Sequence, residues 1–94
     1  DPNDPPLNED KLNQKGYFLL NSGKQKFAQQ IFKINMLLYP TSANVYDSYA
    51  EASMKLGELD IATANYKKTL SLNPENENAV KMLKEIQQMK TSTK

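Results

Sequence analysis

Histidine, cysteine, tryptophan and arginine are all missing from this chain of 94 residues. Without histidine there is no triad built on an imidazole base, and without cysteine no thiol nucleophile. A zinc site of His and Cys ligands is excluded for the same reason. No disulfide can form, so cysteine usage says nothing about compartment, and localisation stays open. The lack of arginine removes the usual bidentate contacts to bases and phosphates. Twelve lysines against eleven acids leave a net charge of +1, too little for a general attraction to DNA, RNA or anionic lipid. Lys24, Lys26 and Lys33 cluster, but such a cluster is ordinarily a solvated face. Long apolar runs are also absent. The run Met36 to Tyr39 is as long as any, far short of a membrane span, and no signal-peptide pattern is present. Neither a metal, a cofactor, a nucleic acid nor a membrane is expected as a partner. The length allows one small domain. The start at Asp1 rather than Met fits a processed chain or a piece of a longer one.

What is present is a repeat. Gly23 and Gly57 lie 34 residues apart, as do Ala28 and Ala62, Lys33 and Lys67, Leu38 and Leu72, and Pro40 and Pro74. Similar residues share the offset: Phe32 with Tyr66, Phe27 with Ile61, Met36 with Leu70, Leu20 with Met54, and Gly16 with Ala50. Asn8, Ser42 and Asn76 keep the same phase, and each is a good helix N-cap. Five identities in one ungapped register set the period of the chain. Outside it lie a proline-rich linker with its N-cap, residues 1–8, and a polar tail, residues 91–94.

Within each unit the apolar spacing is helical. Leu12, Gly16, Leu19 and Leu20 recur three and four apart, so a helix is expected from Glu9 to Asn21, stopped by Gly23. Leu7 is placed to staple onto Leu12. A second helix is expected from Gln25 to Leu38, ended by Pro40. The next unit repeats this, from Ala43 to Leu56, with Gly57 as the stop, and from Leu59 to Leu72 before Pro74. A fifth helix is expected from Glu77 to about Met89, with Val80, Leu83 and Ile86 on one face. No segment reads as a strand, so the expected class is all-α.

A 34-residue helix-turn-helix unit of this kind resembles the tetratricopeptide repeat (TPR). In that family a large residue, a small residue, an alanine, an aromatic and a proline stand at positions 4, 8, 20, 24 and 32. The first unit, residues 9–42, has Leu12, Gly16, Ala28, Phe32 and Pro40 there. The second, residues 43–76, has Tyr46, Ala50, Ala62, Tyr66 and Pro74. Asn35 and Thr69 depart from the small residue usual at position 27, and Leu19 and Ser53 from the Tyr frequent at position 11. The resemblance implies a right-handed helix-turn-helix solenoid of two helix pairs. Residues 77–90 would be its capping helix, whose Lys81, Lys84, Glu85, Gln87 and Gln88 face water. The pattern also has a physical reading: small residues let two helices cross closely, and Phe32 and Tyr66 fill the space between neighbouring pairs.

In a solenoid of this type the first helix of each pair lines a concave face. Asp10, Asn13, Tyr17, Leu20 and Asn21 would contribute from the first unit. Asn44, Asp47, Glu51, Met54 and Lys55 would contribute from the second, and Asn78, Lys81 and Glu85 from the closing helix. The amides suit an extended peptide, and Asp47 and Glu51 favour a basic one. The plain alternative is a solvated helix face. A family variant grips the C-terminal carboxylate of heat-shock chaperones with Lys and Asn at set groove positions. This chain has Asn13, Tyr17 and Ser48 there, so that clamp is absent and a co-chaperone role is not expected.

The two units also differ. Ile31, Ile34 and Leu37 stand where the second unit has Asn65, Lys68 and Ser71, and Phe18 stands where it has Ala52. These residues either complete the core or form an apolar face that must be covered. Candidates for the cover are an upstream domain, the linker or a second copy of the chain. Glu58 and Asp60 flank a turn, but acids at a helix start answer its dipole, and nothing supplies a nucleophile or base beside them. The expected function is therefore non-catalytic protein–protein interaction through the concave face. The alternative is an accessory tail that docks on or dimerises its parent. Residues 46–86 also resemble repeat tails of bacterial serine hydrolases and esterases, whose chemistry would lie upstream.

Overall fold

A computed structural model describes residues 8–92. The linker 1–7, with the Leu7 staple, and residues 93–94 lie outside the described residues. The order is α1 (Glu9–Asn21), α2 (Gln25–Leu38), α3 (Ala43–Lys55), α4 (Leu59–Leu72) and α5 (Glu77–Ser92), with no strand among the described residues. Each helix packs on the next, and α1 also touches α3. The first helices of the two pairs therefore lie side by side, as a helix-turn-helix solenoid requires.

The two glycine stops are the same device used twice. Gly23 and Gly57 have φ of +81° and +79°, a region nearly closed to other residues. After α1 the Lys24 N–H donates to the Leu19 carbonyl and the Gly23 N–H to that of Leu20. After α3 the Glu58 and Gly57 N–H groups reach Ser53 and Met54 in the same way. Both are Schellman closures. They spend Leu56 on the turn, so α3 ends at Lys55 rather than Leu56. At the other end, α5 runs beyond the expected Lys90 to Ser92. The Thr91 and Ser92 hydroxyls bond back to the carbonyls of Gln88 and Met89 at 3.0 and 3.1 Å.

Two of the three expected N-caps form. Asn8 Oδ1 accepts from the Lys11 N–H at 3.0 Å, and Asn76 Oδ1 from the Ala79 N–H at 2.8 Å. Ser42 does not cap α3. Its hydroxyl instead donates to Glu9 Oε2 at 2.6 Å and ties the start of α3 to the start of α1.

Two clusters make the core. Phe32 is fully buried among Leu20, Ala28 and Ala52, with Tyr17, Leu19 and Tyr49 around it. Tyr66 is fully buried among Ala50, Ala62, Ala79 and Ile86. Each aromatic reaches beyond its own pair, into α3 and α5 respectively. Gly16 is the tightest point, because a Cβ there would fall 2.7 Å from Phe32 Cδ1 and Cζ. The unusual residues at position 27 are buried too. Asn35 Nδ2 donates to the Glu9 carbonyl at 3.0 Å, and Thr69 Oγ1 to the Asn65 carbonyl at 2.9 Å. Ser53, where Tyr is frequent, is buried between the Tyr49 carbonyl and the Gln29 amide. Tyr46 is half-buried, donates to the Pro40 carbonyl at 2.7 Å and lies under the Lys68 ammonium.

On α5 the buried line is Ala79, Leu83 and Ile86, at i, i+4 and i+7. Val80 was expected there but is exposed, one residue and about 100° round the helix. Lys90 Nζ meets Asp60 Oδ1 at 2.6 Å and fastens the far end of α5 to the start of α4.

Two substitutions test the packing. Phe32→Ala should cost about 3 to 5 kcal/mol. Gly16→Ala should also lower stability, although alanine is the better helix former by about 1 kcal/mol, because the Phe32 ring cannot yield in a filled core. Denaturant unfolding of both variants is the measurement. A raised midpoint for Gly16→Ala would contradict the close approach.

Candidate functional site

The periodicity puts equivalent positions of α1, α3 and α5 on one face, and polar side chains join across it. Tyr17 and Glu51 are 34 residues apart, and the Tyr17 hydroxyl donates to Glu51 Oε1 at 2.8 Å. Ser48 Oγ donates to Asn13 Oδ1 at 2.6 Å. Between α3 and α5, Asn78 Nδ2 donates to Asp47 Oδ1 at 3.1 Å. The Tyr17 ring stands edge-on to Phe32, with centroids 5.0 Å apart. The face is therefore anchored in the core.

A pocket of about 310 Å³ opens between α3 and α5. Glu51, Met54 and Lys55 line it from α3, and Asn78, Met82 and Met89 from α5, with Tyr66 of α4 below. On α5, Asn78, Met82 and Met89 recur at i, i+4 and i+11, one stripe of the helix. The acids Asp47, Glu51 and Glu85 bear on Tyr66 electrostatically, with Lys55 at the pocket rim. Burial pushes the Tyr66 hydroxyl well above the usual tyrosine range, and Asp47, Glu51, Tyr17 and Glu85 add to the effect. Burial likewise raises Tyr17, with Glu51 and Asp47 adding and the Ser48 hydroxyl opposing. Burial is also the main cause that raises Asp47, assisted by Glu51 and opposed by the amides of Asn78 and Asn76. Among the described residues no lysine forms an ion pair with Asp47, Glu51 or Glu85. No group of three or more potential metal ligands occurs among them either.

The expected groove residues divide into three sets. Tyr17 bonds to Glu51, Asn13 to Ser48 and Asp47 to Asn78, and Met54, Lys55 and Asn78 line the pocket with Glu51. Leu20 is a correction: it is 5% exposed and packs on Phe32. It lies on the buried stripe Leu12, Gly16 and Leu20 at i, i+4 and i+8. Asp10, Asn21, Asn44 and Lys81 are exposed, and with the half-buried Glu85 they stand outside the pocket lining. Sequence reasoning missed Tyr66, Met82 and Met89 as pocket residues. The spacing of Met82 and Met89 from Asn78 was the available signal. Tyr66 gave none, because its aromatic ring was fully accounted for by the core.

The apolar face of the first unit is on the surface. Phe18 is 69% exposed, Ile34 47% and Leu37 69%, with Ile31 half-buried. Phe27 and Leu38 are exposed beside them. On α2 the aligned stripe is Phe27, Ile31, Ile34 and Leu38, with Leu37 to one side.

No sequence-family profile matches the chain, and no curated protein matches it by sequence. Solved structures do match by shape. The first TPR domain of the human RPAP3 protein, determined by NMR, superposes with a TM-score of 0.86. The match is 23% identical and covers 93% of this chain and 68% of that one. The first TPR of Spaghetti (RPAP3), bound to the HSP90 peptide SRMEEVD, superposes with a TM-score of 0.84 at 22% identity, over 92% and 68% of the two chains. At this level of identity the likeness establishes the fold, which is that of a TPR domain. Nothing in these matches supports the resemblance to hydrolase tails.

Asp47 gives a pH test of the geometry. Its pKa is raised in the folded state, so the native chain holds that proton more tightly than the unfolded chain does. The stability this confers is complete below the unfolded carboxylate pKa, about 3.9, and is lost as pH rises through the folded value. Asp47→Asn keeps an acceptor for Asn78 and removes the half-buried charge. Its melting temperature should exceed wild type at pH 7, and the gap should shrink as pH falls towards the carboxylate range. A gap that is constant with pH would contradict the assignment.

Proposed function

We propose that the chain is a non-catalytic protein-interaction module that binds an extended peptide across the face formed by α1, α3 and α5. The observation that carries the reading is the pocket between α3 and α5. It has three unbranched, adaptable methionines on its walls, a tyrosine below and the Glu51 carboxylate beside them. A few polar groups converging on an apolar hollow is the usual form of a binding site. The bonds that join α1 to α3 hold the rest of the face rigid, which limits the ordering cost of binding.

The acidic peptide carried by the structural neighbour does not suit this face. A carboxylate clamp needs cations, and the corresponding positions hold Asn13, Tyr17 and Ser48, with Asp47 and Glu51 beside them. A negative ligand would meet like charge. Selection from a displayed library of random 12-residue peptides, followed by amide chemical-shift mapping, tests the reading. Binders should perturb Glu51, Met54 and Asn78, and Glu51→Ala should weaken them. SRMEEVD should not saturate the chain at concentrations where a selected peptide does. If no peptide is selected, or if the shifts map elsewhere, the reading fails.

A second reading has its own observation, the exposure of Phe18, Ile34 and Leu37. In it the first unit docks on an upstream domain of a parent protein, a hydrolase among the possibilities, or pairs with a second copy. Light scattering after size exclusion, on wild type and Ile34→Lys, decides the homodimer form. A dimer that Ile34→Lys dissociates supports self-pairing, and a monomeric wild type removes it.

A further inference from the structure

Resting on the groove reading, we infer that the pocket between α3 and α5 is built for a basic side chain, lysine or arginine, projected by the bound peptide. Two independent features carry this. The first is shape and lining. Met54, Met82 and Met89 offer an apolar sleeve inside about 310 Å³. A lysine or arginine buries its methylene stem along such a surface while its charged head reaches polar groups.

The second is what waits at the end of the sleeve. Tyr66 is fully buried and lines the pocket. Among the described residues its hydroxyl makes no hydrogen bond, and it is not sealed off, since the buried polar atom left without a partner is Asn35 Oδ1, so the hydroxyl stays open to a donor in the pocket. Its electrostatic neighbours are Asp47, Glu51, Tyr17 and Glu85. Tyr17 occupies Glu51 Oε1, which leaves the second Glu51 oxygen for an incoming donor, whereas Asp47 already takes the amides of Asn78 and Asn76 and acts through its charge. An ammonium or guanidinium head supplies several donors and no acceptor, matching a hydroxyl oxygen and two carboxylates that lack a cation. The pocket's own lysine, Lys55, is exposed at the edge and pairs with none of these acids. An acidic head would instead face repulsion, and a plain apolar one would leave the Tyr66 hydroxyl and the second Glu51 oxygen unanswered.

The test takes a peptide from the random library that binds the intact chain. The expected result is a lysine or arginine at one fixed register. Replacing it with norleucine should weaken binding by about tenfold to a hundredfold, as loss of charge-assisted hydrogen bonds does. Replacing it with glutamate should abolish binding. In the protein variants Asp47→Asn and Glu51→Gln, checked for folding by thermal melting, the same norleucine change should cost much less. Calorimetric titration reads all of these. The inference is overturned if selected peptides bind the face without a basic residue at a common register, or if norleucine binds equally well. It is also overturned if the norleucine penalty is undiminished in both variants. In those three cases peptides still bind and the groove reading stands. If no peptide binds the face at all, both fall together.

Discussion

Everything in this fold depends on how closely α1 can approach α2, and α3 can approach α4. Gly16 leaves the Phe32 ring the space that a methyl group would take, and Ala50 and Ala62 sit against Tyr66 in the second unit. The aromatic is large because it must serve two interfaces. Phe32 closes its own pair and then receives Ala52 of α3. Tyr66 closes its pair and receives Ala79 and Ile86 of α5. One pair alone would leave half of each ring in water, so the stack is cooperative between neighbours. The closing helix completes the burial of Tyr66.

The same register organises the polar face. Helices that repeat every 34 residues place equal positions opposite one another, which is why Tyr17 finds Glu51. Near-equal positions explain Ser48 with Asn13 and Ser42 with Glu9. Two buried polar residues that break the repeat pattern belong to this scheme as well. Asn35 donates to the backbone of Glu9, and Ser53 accepts from Gln29. They trade some apolar packing for fixed register between helices.

Helix existence, order and most boundaries were legible in the residues, because glycine at positive φ, proline after a helix end and 3.6-residue spacing are local signals. α1, α2 and α4 begin and end where the pattern places them. What was not legible came from angle and from neighbours. Leu20 belongs to the buried stripe of α1, although its repeat position suggested the groove, because Phe32 occupies the space beside it. Val80 and Lys81 were each one residue from the stripe that matters on α5. Ser42 had the right type and position for a cap, but Glu9 of another helix offered its hydroxyl a charge-assisted bond. That partner lies 33 residues away and no local rule reports it. The core half of the candidate site was likewise hidden, since a buried tyrosine at a core position gives no sign that its hydroxyl borders a pocket.

The two halves of the polar face are not equivalent, and their energetics decide where a ligand gains most. At the α1–α3 seam, Tyr17 and Glu51 already satisfy one another, as do Ser48 and Asn13. A ligand that displaced the first of these would forfeit a hydrogen bond to a charged group, about 1.5 to 3 kcal/mol, before gaining anything. The α3–α5 seam is joined by one hydrogen bond, Asn78 to Asp47, beside an open pocket. Burial raises the Asp47 pKa, and the Tyr66 hydroxyl makes no hydrogen bond to the described residues. Groups there improve when a donor arrives. The seam closed by two hydrogen bonds is the rigid wall, and the seam with the open pocket is where a ligand donor would gain most.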